Sequence, residues 1–91
     1  MKTKTATHIL STPEGTMKGI APKDPKKGYS LAECQGYVGG MMEVVRLPGR
    51  MIMVVNEEGL LMGLPFNAYA SALAGQPIVG NAMVVPSAAF K

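Results

Sequence analysis

The chain has 91 residues, of which 47% are hydrophobic and 16% charged, and this composition fits one small folded domain better than a disordered segment. No apolar run reaches the roughly 18 residues of a membrane span, and no signal-peptide pattern opens the chain. One cysteine and one histidine exclude a disulfide framework and most zinc sites. The net charge of +3 is uneven: residues 1–28 carry six lysines against two acidic residues, a net +4, and residues 29–91 carry −1.

Residues 1–28 predict a β-hairpin followed by a loop. Residues 3–10 are rich in β-branched side chains, which favour strands, and residues 11–15 contain the proline and glycine of a turn. Residues 16–21 predict the returning strand, and residues 22–28 combine two prolines with charge, as loops do. We expect this basic segment to join a core α+β domain in residues 29–91, so that the chain forms one compact domain.

Residues 30–38 predict the first helix. Ser30 and Glu33 have the spacing of a capping box, in which each side chain accepts a hydrogen bond from the other residue's backbone N–H. Gly36 disfavours this helix by about 1 kcal/mol relative to alanine, and Gly39 provides its end. The apolar positions at helical spacing predict one buried face: Leu31, Cys34 and Val38.

Three strands are predicted next. Residues 42–47 and 51–55 are joined by the tight turn Pro48-Gly49, and the second run has no polar residue, so we expect it to be central and covered on both faces. After a turn in which Gly59 adopts the left-handed conformation, residues 60–64 predict a third strand.

The C-terminal part predicts a second helix and a last strand. Asn67 caps a helix that Gly75 ends, and residues 78–85 form a strand before Pro86. The predicted fold class is therefore α+β: a small antiparallel or mixed sheet of about five strands, with two short helices on one face.

Three ordered motifs resemble a known family. They are G-Y-V-G-G-x-x-E-V-V (residues 36–45), V-V-N-E-E-G-L-L-M-G-L-P-x-N (residues 54–67) and I-V-G-N-A (residues 78–82). They resemble domain of unknown function 3846, a family of small proteins encoded largely by bacteriophages, plasmids and other mobile elements. The resemblance spans residues 29–86 and implies a cytoplasmic protein in a mobile-element setting. It transfers no catalytic residue.

Four polar residues form the candidate ligand site: Asn56, Glu57, Glu58 and Asn67. Two carboxylates and an amide can bind a cation or act as acid and base. The alternative is a solvated hairpin turn, because adjacent strand residues point to opposite faces. Asn67 stands where free helical N–H groups could hold an anion, and the alternative is a plain helix cap.

No catalytic group emerges from the remaining chemistry. Cys34 lies on the predicted apolar helix face, which favours a buried thiol, and His8 has no oriented partner with which to form a dyad. We therefore expect a protein that is not an enzyme, with no catalytic residue, metal site or cofactor. An alternative nucleic-acid function would use the exposed basic segment through four lysines: Lys18, Lys23, Lys26 and Lys27.

Eight methionines in a domain this small favour an interaction protein, since flexible thioethers form adaptable binding surfaces. We expect a homo-oligomer, most simply a dimer, that pairs through the strand at residues 78–85, with Val84 on its free edge. The favoured function is a non-enzymatic binding module in the host cytoplasm, with a host protein or small molecule as partner. A nucleic-acid accessory factor is the alternative, and no membrane partner is expected.

Overall fold

The computed structural model describes residues 8–89, which form a five-stranded antiparallel sheet between two helices. In chain order, the strands are β1 (Ile9–Ser11), β2 (Met17–Gly19), β3 (Met42–Leu47), β4 (Met51–Asn56) and β5 (Ala82–Pro86). The helices are α1 (Leu31–Val38) and α2 (Ala68–Ala74), and the short 3₁₀ helix Ser87–Ala89 follows β5. The predicted α+β class and the strand number are confirmed.

The last strand lies at the centre of the sheet, between two hairpins. β1 pairs with β2, β3 pairs with β4, and β5 joins β1 to β4, so the order is β2-β1-β5-β4-β3. The prediction of a free edge at residues 78–85 is wrong, because the strand begins at Ala82 and Val84 is paired with both Ile9 and Met53. An apolar strand gains burial and backbone hydrogen bonds on both sides when it is central. The sheet edges are β2 and β3.

The β3–β4 hairpin follows its local sequence. Leu47 and Met51 form the last pair of the ladder, and the chain reverses through Gly49 and Arg50, whose φ angles are 74° and 61°. β4 is buried from Ile52 onward. The predicted turn and the predicted central strand are both confirmed.

The two helices cover opposite faces of the sheet, which corrects the expectation that they share one. Cys34 and Val38 of α1 belong to one apolar cluster, and Ala70 of α2 belongs to another. Alternate residues of β4 complete the two clusters: Ile52 and Val54 on the α1 side, Met53 and Val55 on the α2 side. Because successive strand residues point to opposite faces, an apolar strand needs cover on both.

Helix α1 begins and ends as predicted. The Ser30 hydroxyl accepts a hydrogen bond from the Glu33 N–H at 3.1 Å, and the Glu33 carboxylate accepts from the Ser30 N–H at 2.9 Å. The second oxygen of Glu33 accepts from the Lys23 N–H at 2.9 Å, which ties the preceding loop to the helix. These backbone N–H groups, that of Ser30 first, lower the pKa of Glu33. Gly39 caps the C-terminal end at φ 80°.

The N-terminal hairpin is shorter than predicted. Of the strand expected at residues 3–10, residues 3–7 lie outside the described residues, and β1 spans Ile9–Ser11. β2 spans Met17–Gly19 rather than residues 16–21. The loop at residues 22–28 is a turn closed by the Gly28 N–H, which donates to the Asp24 carbonyl at 3.0 Å.

Replacing Gly36 with alanine should stabilise the protein. Gly36 is exposed within α1, and within residues 8–89 no atom apart from its chain neighbours and the backbone of its own helix lies within 4 Å of the position that a Cβ would take. Gly36→Ala should therefore raise the free energy of unfolding by about 0.5–1 kcal/mol, measured by urea denaturation. Gly39→Ala is the matched control and should lower it, because the φ of Gly39 is positive. Destabilisation by Gly36→Ala would contradict the open environment described.

Candidate functional site

The predicted cluster at residues 56–58 divides into one structural residue and two exposed ones. Asn56 is buried: its Oδ1 accepts a hydrogen bond from the Glu58 N–H at 2.8 Å, and its Nδ2 donates to the Val38 carbonyl at 3.1 Å. This amide joins the end of β4 to the end of α1 and shapes the turn. Glu57 and Glu58 lie exposed on that turn.

Glu57 has an acidic neighbour that was not among the candidate residues predicted from the sequence. It lines a depression of about 190 Å³ with Glu43 of β3 and with Gln76. Glu43 pairs with Val55, two positions before Glu57, so both carboxylates belong to the α2 face at the same end of the sheet. The pairing of β3 with β4 brings the two carboxylates together, although a glutamate in a largely apolar strand is a usable signal.

Residues 60–64 form consecutive turns, and the third strand predicted there is wrong. The N–H groups of Met62, Gly63 and Leu64 donate at 2.9, 3.2 and 3.0 Å to carbonyls three to five positions earlier. The backbone thus satisfies its hydrogen bonds locally. Gly59 does not adopt the predicted left-handed conformation; a Cβ there would lie 2.7 Å from Val79 Cγ2, so the close approach of Val79 requires glycine.

This chain reversal carries the two most exposed large apolar side chains of the described residues, Leu60 and Leu61. Leu60, Leu61 and Met62, here named the apolar turn, are 77%, 88% and 53% exposed. Met41 is 56% exposed and adjoins the turn, because its carbonyl accepts a hydrogen bond from the Glu57 N–H at 2.8 Å. The apolar run is typical of a strand, so this surface was not predicted from the sequence. The flanking Gly59 and Gly63 were the available signal.

Asn67 is buried and connects three parts of the fold. Its Oδ1 accepts hydrogen bonds from the Ala70 N–H at 3.0 Å and from the Ser11 hydroxyl at 3.2 Å. Its Nδ2 donates to the carbonyls of Ser11 at 3.2 Å and Gly80 at 2.9 Å. Asn67 therefore caps α2, as predicted, and also connects that helix to β1 and to the segment before β5. Because it is fully buried, it is not available to a ligand.

His8 and Cys34 lie in different surroundings. The Nδ1 atom of His8 lies 2.8 Å from the hydroxyl of Tyr29, and the two rings are tilted against each other. Cys34 is completely buried against the sheet, and burial raises the pKa of its thiol. The hydrogen-bond partner of His8 is therefore a phenol, and the predicted buried thiol is confirmed.

The four lysines of the alternative function are all exposed. Lys18 lies on β2, opposite Leu10, and Lys23, Lys26 and Lys27 lie in the loop before α1. Asp24 lies among them, and its carboxylate accepts a hydrogen bond from the Lys26 N–H at 3.0 Å. The loop is thus basic overall, with an acidic residue inside it.

Within residues 8–89, no group of three or more histidine, cysteine, aspartate or glutamate side chains is arranged to hold a metal ion. In the same part of the chain, no helix is long and apolar enough to cross a membrane.

The chain thus combines a small antiparallel sheet, one helix on each face and an exposed apolar turn. The chain belongs to the family Domain of unknown function (DUF3846), whose sequence profile matches residues 7–89. This match confirms the resemblance seen in the three motifs and extends it into the N-terminal hairpin. No curated protein and no solved structure matches the chain.

Asn67→Ala should destabilise the fold strongly. The substitution removes a helix cap and leaves buried carbonyls of Ser11 and Gly80 without their donor. We expect the free energy of unfolding to fall by about 2–4 kcal/mol, measured by chemical denaturation. Asn81→Ala is the control, because it loses one part-buried bond to the Tyr37 carbonyl and should cost about 1 kcal/mol. Equal losses in the two variants would contradict the role of Asn67.

The Tyr29 phenol should make stability depend on pH in the alkaline range. Burial first, and then the charges of Tyr37 and Glu33, raise the pKa of Tyr29 to about 12 from the ordinary 10.0. The folded state therefore holds the phenol proton more tightly than the unfolded state. This stabilisation is complete below pH 10 and is lost as the pH rises from 10 to about 12.

Urea denaturation at several pH values measures this effect. Tyr29→Phe should show a shallower fall in the free energy of unfolding over the same interval, since it lacks the titrating group. Identical slopes for the native protein and Tyr29→Phe would contradict the shifted pKa.

Proposed function

We propose that the protein is a non-enzymatic binding module of a phage or other mobile element, which acts in the host cytoplasm by docking its apolar turn onto a host protein. The observation that carries this proposal is the exposure of three consecutive large apolar side chains, Leu60, Leu61 and Met62, on a hydrogen-bonded turn. Runs of exposed apolar residues are disfavoured in a folded domain unless they serve a function.

The energetics support a contact surface at this position. Full burial of one leucine or methionine side chain contributes about 1.5–3 kcal/mol, and a small domain has a net stability of about 5–15 kcal/mol. Leu60 and Leu61 lie mostly in water and Met62 is about half exposed, so the free protein forgoes a stabilisation that a partner would recover. Because the turn is held by its own hydrogen bonds, little ordering is needed on binding.

The surroundings of the apolar turn suggest the chemistry of the partner. Glu57 and Glu58 precede it, and Glu43 lies beside Glu57. An apolar centre with a charged rim is the usual arrangement of a protein interface. We therefore expect the partner to have an apolar cleft bordered by arginine or lysine.

A small-molecule ligand is a weaker alternative for this end of the sheet. The depression beside Glu43 and Glu57 measures about 190 Å³, below the range of roughly 300–1,000 Å³ that is typical of ligand pockets. Its two carboxylates would favour a small cation. For the nucleic-acid alternative, only the exposure of the lysine loop gives support.

Leu61→Ser tests the proposal. The immobilised protein, Leu61→Ser and the control Leu31→Ser are compared for capture of proteins from host lysate. Leu31 lies at the start of α1 and is 60% exposed, so the prediction that it belongs to the buried face of this helix is wrong. We expect one partner protein that both the native protein and Leu31→Ser capture. The affinity of Leu61→Ser for this partner should be at least about tenfold lower, which corresponds to 1.4 kcal/mol of binding free energy.

Thermal unfolding is the fold control, and both variants should remain within about 0.5 kcal/mol of the native protein. Undiminished capture by Leu61→Ser would contradict the proposed surface. If nuclease treatment abolishes the capture and Lys26→Glu or Lys27→Glu weakens it, the nucleic-acid function is favoured instead.

A further inference from the structure

We infer that the outer edge of β3 binds the same edge of a second copy of this chain, antiparallel and across a two-fold axis at Val44. The two five-stranded sheets then form one continuous sheet of ten strands. This inference does not use the apolar turn and stands independently of the proposed function.

The hydrogen-bond phase of the β3–β4 hairpin shows which backbone groups face outward. The Glu57 N–H donates to the Met41 carbonyl at 2.8 Å, so these residues bond to each other across the hairpin. In an antiparallel ladder such pairs recur at every second residue, which makes Glu43, Val45 and Leu47 the residues that bond to β4. The intervening residues therefore direct their N–H and C=O groups away from β4: Met42, Val44 and Arg46.

These three residues present three N–H and three C=O groups on the open edge. Throughout residues 8–89, no hydrogen bond reaches any of the six groups. The strand is six residues long and has no proline, whereas the other edge strand, β2, has three residues and ends at Gly19. Short edge strands, prolines, bulges and charged side chains are common devices against edge pairing. β3 has none of the first three, and its two charged residues, Glu43 and Arg46, have opposite signs, so they do not repel a second copy as a run of like charges would.

One alignment of two β3 strands satisfies all six groups on each copy. With Val44 opposite its own copy, Met42 of each chain faces Arg46 of the other, and every outward residue meets an outward residue. A shift of two residues in one direction places Met42 opposite Pro48, which has no N–H to donate. A shift of two residues in the other direction places Arg46 of each copy beyond the start of β3 in the other copy, where it has no strand residue to pair with. The requirement that all six outward groups of each copy be hydrogen-bonded therefore selects the two-fold axis at Val44.

Charge complementarity supports a second copy as the occupant. At the end of the sheet where β3 begins, the chain places Glu43, Glu57 and Glu58. At the hairpin end it places Arg46 and Arg50. Antiparallel pairing brings the acidic end of each copy to the basic end of the other, and a two-fold axis produces this attraction twice. Glu43 and Arg46 lie on opposite faces of the sheet, so the attraction acts between the two ends and is not a direct contact of these two side chains.

Cysteine cross-linking tests the axis. Directly opposed residues in a hydrogen-bonded pair have Cα atoms about 5.5 Å apart, within disulfide range. Val44→Cys should therefore form a disulfide-linked dimer under mild oxidation, detected by non-reducing electrophoresis. Arg46→Cys is the matched control: in this alignment the two copies of residue 46 are offset by four positions, or about 13 Å, beyond disulfide range. The native Cys34 is buried and should give no linked species.

The oligomeric state provides the second measurement. Light scattering should give the native protein twice the chain mass of 9.6 kDa at micromolar to millimolar concentration. Val44→Pro removes an outward N–H without touching the ladder to β4 and should weaken the dimer at least about tenfold, whereas Val44→Thr should leave it intact. If circular dichroism shows that Val44→Pro is unfolded, Val44→Lys replaces it, because it places two ammonium groups at the axis.

A native monomer at millimolar concentration would overturn the inference, as would a folded proline or lysine variant that dimerises normally. Equal or greater cross-linking of Arg46→Cys would overturn the assigned axis. Leu61→Ser should remain dimeric, so a loss of host-protein binding and a loss of dimerisation can be told apart.

Discussion

The need to bury both faces of the two central strands organises this protein. β4 and β5 are buried along almost their entire length, and alternate residues point to opposite sides. Each face therefore requires a cover, which one helix of eight residues and one of seven provide. The same requirement draws the last strand into the middle of the sheet, where it links the N-terminal hairpin to the β3–β4 hairpin.

Two buried asparagines connect these layers. Asn56 links the end of β4 to the end of α1, and Asn67 links the start of α2 to β1 and to the segment before β5. A buried amide is tolerated when its donors and acceptor are satisfied, and both amides meet this condition. Two of the four residues predicted to bind a ligand are thus used by the fold.

The surfaces left over for function lie around the margins of the sheet. The apolar turn extends beyond β4, and the open edge of β3 runs alongside the same strand. One offers apolar side chains and the other offers backbone groups, so they suit different kinds of partner. If both are used, a two-fold dimer would present two copies of the apolar turn to host proteins.

The sequence by itself determined the features that depend on residues close together in the chain: the capping box of α1, the Pro48-Gly49 turn, the Asn67 cap and the apolar central strand. It did not determine the strand order, the faces taken by the helices or the exposure of residues 60–62. These depend on contacts such as that between Ser11 and Asn67, which are 56 positions apart. The apolar runs at residues 60–64 and 78–85 have local preferences that do not distinguish an edge strand, a central strand and a turn. Tertiary structure decided among these, because burial and hydrogen bonding depend on the partners that the whole chain supplies.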